Sequence, residues 1–214
     1  MNIIRNMIIS AIALGFFAIA GTYIVSYTFE NTIDQINENK RLTLLKAFHV
    51  LILPSQHDND MFTDIIQVTD KELLGTNKPV NIYRARKNNK PVALIINSVA
   101  PDGYNGNIEL LIAINYNGSL AGVRVVQHKE TPGLGDAIEE NRSDWILKFR
   151  NLSLTNPAKK GWAVKRDGGD FDQFTGATIT PRAIVKAVYK TLSYYKMHKD
   201  TLFSDTTKKT VHHE

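Results

Sequence analysis

The chain of 214 residues contains no cysteine. That excludes thiol catalysis, cysteine-ligated zinc, iron–sulfur clusters and disulfides, so any redox work must come from a bound cofactor. It is also compatible with an exported protein. Charge of one sign is nowhere concentrated: the net charge of +5 is modest and scattered. There is no zinc-finger spacing, basic leucine zipper or aromatic-rich RNA motif, which argues against a nucleic-acid-binding protein. A Gly-x-x-x-x-Gly-Lys-Ser/Thr phosphate loop is missing too, as are internal repeats and low-complexity tracts. With 43% hydrophobic and 22% charged residues, a packed core is expected and wholesale disorder is not.

What is present begins with a run from Asn6 to Phe29 that carries no charge. As a helix these residues span roughly 36 Å, enough to cross a ~30 Å hydrocarbon core. Tyr23 and Tyr27 fall toward one end, as interfacial aromatics do. Ala18-Ile19-Ala20 before Gly21 has the small-residue pattern of a signal cleavage site, but the apolar run continues past it to Phe29, so the reading is a retained anchor. Lys and Arg on the two flanks do not settle its orientation. No Asp, Glu, Lys, Arg or His lies within this run.

Downstream, the pattern predicts a loosely amphipathic helix over 31–53, ended by Pro54, then a polar loop over 55–60. Four β-prone runs follow: Val80–Arg86, Val92–Val99, Ile108–Tyr116 and Leu120–Gln127. They are separated by Lys87-Asn88-Asn89-Lys90-Pro91 and by the hairpin signal Asn117-Gly118-Ser119. Residues 136–149 read as a helix. The last helix carries Ile184, Val185, Val188, Leu192 and Tyr195 at helical spacing, with Thr180 as its expected cap and Pro181 at its first position. The expected fold is α+β: an antiparallel sheet with packed helices, tethered to one N-terminal transmembrane helix. The expected organisation is a cytoplasmic stub and membrane helix (1–30), a juxtamembrane helix and linker (31–60), the α+β domain (61–200) and a polar tail (201–214).

Three segments could carry chemistry. Asp172-Gln-Phe-Thr-Gly-Ala-Thr178 puts a hydroxyl on a tight turn before a helix, where free N–H groups and the positive helix end favour an anion. A threonine hydroxyl is a poor nucleophile without a base or metal nearby, and no Ser-His-Asp arrangement or metal-ligand cluster surrounds it. Thr178 therefore reads as an acceptor modified by another enzyme, or else as part of a plain helix-capping turn. His128-Lys129-Glu130-Thr131-Pro132-Gly133-Leu134-Gly135-Asp136 is a bent loop able to lie flat on a planar ligand, with His128 or Glu130 available for proton transfer; the alternative is a solvated connection. In Gly161–Gly169, Trp162 could stack on a ring and Lys165 or Arg166 could balance a phosphate, against a core tryptophan and a surface turn. Gly103-Tyr104-Asn105-Gly106 is a similar turn, with Tyr104 as a possible ring contact. His212-His213 could bind metal but sits in a polar tail. No catalytic residue and no metal site are expected.

Taken together, Gly103–Gly106, His128–Asp136 and Asp172–Thr178, in that order after one membrane helix, resemble the FMN-binding domain family. Within it they resemble most closely the G-subunit branch of the Rnf (Rsx) ion-translocating electron-transport complexes. The C-subunit branch of the sodium-pumping NADH:quinone oxidoreductases is similar but tends to be longer, and a non-redox tethered binding or scaffold domain is the contrasting class. The resemblance implies that Thr178 carries FMN through a phosphoester, making the chain a phosphoprotein. Thr175, Gly176 and Ala177 would shape the attachment turn, and Glu130, Thr131, Gly133 and Leu134 would lie beside the isoalloxazine ring. A separate flavin transferase would read Asp172 and the turn. The domain would face the periplasm from a bacterial inner membrane and relay electrons within a complex that couples them to ion movement.

Overall fold

The computed structural model describes residues 2–204. They divide into two units, with the boundary between Lys46 and Ala47. The first consists of one helix, α1 (Asn2–Leu51), whose last residues belong to the second unit. α1 contains a stretch long and apolar enough to cross a membrane. Ile8, Leu14, Phe17 and Ile24 on it are exposed, as a helix surrounded by lipid requires. The juxtamembrane helix expected over 31–53 is the continuation of this same helix.

The second unit holds a five-stranded antiparallel meander in the order β1 (Ile65–Asp70), β2 (Thr76–Lys87), β3 (Lys90–Gly103), β4 (Gly106–Asn115), β5 (Leu120–Gln127). A one-turn helix, α2 (Lys71–Leu74), links the first two strands; Asp70 caps it by accepting from the Leu73 N–H at 2.8 Å, and Gly75 ends it at φ 77°. β2 and β3 meet at Asn88-Asn89, both at positive φ (50° and 61°), the two-residue turn that suits the strand twist. The structure adds β1, which the sequence pattern does not single out.

The sheet is buried on both faces. Leu94, Ile96 and Ala100 of β3 join one cluster with α3 (Ile179–Leu202), which lies along the sheet and contributes Ile184, Val185, Val188 and Leu192. Their alternates Ala93 and Ile95 are buried on the opposite face. Phe48, from the last turn of α1, stacks on Phe62 and sits edge-on to Tyr83 with centroids 4.7 Å apart. Two-sided burial explains why β3 and β4 read as near-continuous apolar runs rather than alternating ones.

Two expectations are corrected. Residues 136–149 form two 3-10 turns, Gly135–Ile138 and Asp144–Phe149, rather than one α-helix. Ser143 breaks the run: its hydroxyl donates to the Ala137 carbonyl at 2.6 Å and accepts from the Trp145 N–H, competing with helical pairing. The second correction concerns the start of α3. The helix begins at Ile179, so Thr180 and Pro181 are its second and third residues, and Thr180 is not the cap. At the other end α3 continues to Leu202, and Leu202 and Phe203 are buried. Residues 205–214, with His212-His213, lie outside the described residues.

Candidate functional site

The segment from Asp172 to Thr178 is pinned before it turns. The Asp172 carbonyl accepts from the Trp145 indole N–H at 2.8 Å. Its carboxylate pairs with Lys148 and Lys165, each at 2.5 Å. Phe174 packs edge-on against Trp145, with centroids 5.3 Å apart. The Ala177 N–H then donates to the Phe174 carbonyl at 3.1 Å, closing a four-residue turn. Gly176 takes φ 81° in it, the value this turn needs at its third position.

Thr178 follows directly. It is the N-cap residue of α3, yet its backbone is αR and its side chain makes no capping bond. Among the described residues, the Thr178 hydroxyl has no hydrogen-bond partner, and the N–H groups of Thr178, Ile179 and Thr180 donate to no protein acceptor. The plain helix-capping reading of this threonine therefore fails. A free hydroxyl stands where unused backbone donors and the positive pole of a 24-residue helix converge.

Beside it opens a cleft of about 350 Å³ lined by Tyr104, Glu130, Thr131, Leu134, Gly135 and residues 176–180. That volume suits a flat organic cofactor. Leu134 and Ile179 are exposed apolar walls, and Tyr104 is 66% exposed. The floor is knitted by Glu130, which is 4% exposed. One of its oxygens accepts from the Asn105 N–H at 3.0 Å and the other from the Thr180 hydroxyl. Thr180, expected as a cap, thus spends its hydroxyl on a residue 50 positions away. The Asn105 side chain donates to Thr131 Oγ1 at 3.2 Å, closing the same seam.

Of the residues singled out from the sequence, Tyr104, Glu130, Thr131, Leu134, Gly176, Ala177 and Thr178 come together on this lining. Gly133, at φ 78°, and the exposed Thr175 do not line the cleft. Trp162 is a core residue: it is 8% exposed, packs among Phe149, Phe171 and Tyr189, and donates to the Ser153 carbonyl. Lys165 is spent on Asp172. His128 takes the Glu130 N–H on Nδ1 at 3.0 Å, which leaves Nε2–H to donate to Glu139 at 2.7 Å; it supports the loop from behind rather than facing the cleft. Gly135, from the loop singled out in the sequence, also lines the cleft, whereas Ile179 and Thr180 are lining residues that local pattern does not reveal.

Bonding to Lys148, and then to Lys165, holds the Asp172 carboxyl at about 2, below its ordinary value of 3.8. Because the folded-state value is depressed, the stability it contributes is fully present above the unfolded value and is lost as pH falls through about 2. Its half-exposed position keeps that contribution small. Thermal melting of the wild type and of Asp172→Asn between pH 6 and pH 2 checks this (roughly the titration window of a carboxyl): the wild-type advantage is expected to shrink only at the acidic end. An advantage that is flat down to the lowest pH would contradict the pairing.

Comparison with known proteins agrees with this geometry. Residues 103–193 match the FMN-binding domain family, and residues 1–51 match the RnfG N-terminal region. The chain is 46% identical over 195 residues to the G subunit of the ion-translocating oxidoreductase complex of Pseudoalteromonas atlantica, covering 91% of each chain. It is 43% identical to that of Shewanella loihica, with 94% of each chain covered. With that of Aliivibrio fischeri the identity is 42%, over 90% of this chain and 92% of the relative. A chain this similar along nearly its whole length, with the cleft-forming segments inside the matched domain, belongs to the family of G subunits of the ion-translocating oxidoreductase complexes.

Proposed function

We propose that this chain is the membrane-anchored flavoprotein component of an ion-translocating oxidoreductase complex, with FMN joined to the Thr178 hydroxyl through a phosphoester. The observation that carries the reading is that hydroxyl, without a partner among the described residues and set at a cleft wall beside unused helix-start N–H groups. A helix-capping threonine would have used it; a modified one has to leave it free. The residues present fit the group. The Ile179 and Thr180 N–H groups and the helix pole would hold its phosphate. Tyr104, Leu134 and Ile179 would wall its ring, and Glu130 and Thr131 supply the polar floor. The turn shaped by Thr175, Gly176 and Ala177 presents the attachment point, and Gly133 gives the facing loop its bend.

When bound, FMN supplies electron transfer in steps of one or two. The chain's own residues supply position and exclusion of water. A threonine with no base beside it does not attach its own cofactor, so a separate flavin transferase is the expected maturation partner, reading the Asp172–Thr178 segment. The other partners are the remaining subunits of the complex. α1 is read as a single inner-membrane span with the second unit on the periplasmic side. Since its apolar run holds no Asp, Glu, Lys, Arg or His, ions would cross through other subunits.

Intact-mass spectrometry tests this reading. The full chain, produced with a flavin transferase, is expected to be heavier than its sequence by one FMN less one water. A mass equal to the sequence mass, from a host that flavinylates a control substrate, would contradict it.

A further inference from the structure

Glu130 is the one charged side chain on the cleft lining among the described residues. It is 4% exposed, and no Lys or Arg lines the cavity with it. Both of its oxygens accept hydrogen bonds, from the Asn105 N–H and the Thr180 hydroxyl, and both donors are neutral. The carboxylate is also held from the sides. A Cβ on Gly135 would lie 2.9 Å from the Glu130 Cβ and Oε2, and one on Gly103 would lie 3.1 Å from its Oε1. Behind it, His128 fixes the Glu130 N–H. One side chain thus joins the turn at 103–106, the loop at 128–136 and the start of α3.

Neutral donors orient a carboxylate without cancelling its charge, and inside a low-dielectric wall that charge acts at longer range than it would in water. The geometry points to Glu130 as the residue that sets the redox potential of this site: a fixed negative charge on the cleft wall that opposes the gain of an electron by whatever occupies the cleft, and so holds its potential down. This inference rests on FMN being that occupant. It assigns Glu130 an electrostatic role beyond forming the cavity.

The test uses the full-length chain, flavinylated by a transferase and purified in detergent, with the midpoint potential of the bound flavin read by spectroelectrochemical titration. Glu130→Gln keeps the shape and removes the charge. Its potential, read on the flavin-bearing fraction, is expected to move positive whatever its flavin content and melting temperature. Glu130→Asp keeps the charge and is expected to stay near the wild-type potential even if its melting temperature falls. Glu109→Gln, an exposed carboxylate outside the cleft, controls for net charge and is expected to leave the potential unchanged. An unshifted potential in Glu130→Gln would overturn the inference, and so would an equal shift in Glu109→Gln. A wild-type chain without flavin would instead overturn the functional reading, and this inference with it.

Discussion

Thr178→Ala is expected to bring covalent flavin to background while leaving the fold intact. The two halves of that result come from one observation. Among the described residues the Thr178 hydroxyl forms no hydrogen bond, so its removal breaks no bond that holds the fold. Loss of a partially exposed side-chain atom with no partner changes stability by no more than about 0.5 kcal/mol. A capping threonine behaves differently, costing about 1 kcal/mol when replaced by Ala. Fluorescence of the polypeptide on a denaturing gel, read beside a thermal melt, therefore separates attachment from capping. Thr175→Ala is the matched comparison. Thr175 is exposed and off the cleft lining, so this variant is expected to keep its flavin, at most with a reduced yield.

The largest loss of stability is expected far from the cleft, from Asp64→Ala. Arg84 and Arg86 lie two residues apart on β2 and so point to one face of the sheet. Their side chains are 7% and 8% exposed, and both pair with Asp64, Arg86 at 2.9 Å. Arg84 also donates to the Ser204 carbonyl at 3.0 Å and Arg86 to that of Phe203 at 2.9 Å. The two guanidinium groups thus tie the end of α3 to the sheet, at the helix pole that favours cations. Removing the carboxylate takes away the ion-pair partner that both buried guanidinium groups share. Breaking such a network by one partner typically costs about 3–5 kcal/mol, a large part of the ~5–15 kcal/mol that holds a domain together. Urea unfolding of the full chain in detergent measures it, with a clear fall in midpoint expected at unchanged slope. A midpoint within error of wild type would show that the arginines find other acceptors.

How much of this is readable in the chain depends on the range of each interaction. The β2–β3 and β4–β5 hairpins rest on short turns whose residues announce them, Asn88-Asn89 and Asn117-Gly118-Ser119. α3 shows its buried face at helical spacing. Thr178 is legible because the turn, the glycine and the hydroxyl are neighbours. β1 escapes a reading of pattern because its six residues, Ile-Ile-Gln-Val-Thr-Asp, show only a brief alternation before a bulge interrupts the pairing near Asp70. The 136–149 segment reads falsely as a helix because Ser143 diverts its backbone groups, an effect that apolar spacing does not register. Thr180 looks like a cap because Ser/Thr before an apolar run usually is one; its true partner, Glu130, is remote in sequence. Asp64 meets Arg84 and Arg86 only once the sheet has formed, and no local motif marks it.

The central claim is that Thr178 carries the cofactor, and peptide-level mass spectrometry of the flavinylated full-length chain tests it most directly. The expected result is one FMN on the peptide containing the Asp172–Thr178 segment, with fragment ions that assign it to Thr178. FMN assigned to Thr175 or to any residue outside the cleft, or no FMN on a chain exposed to a competent transferase, would contradict it.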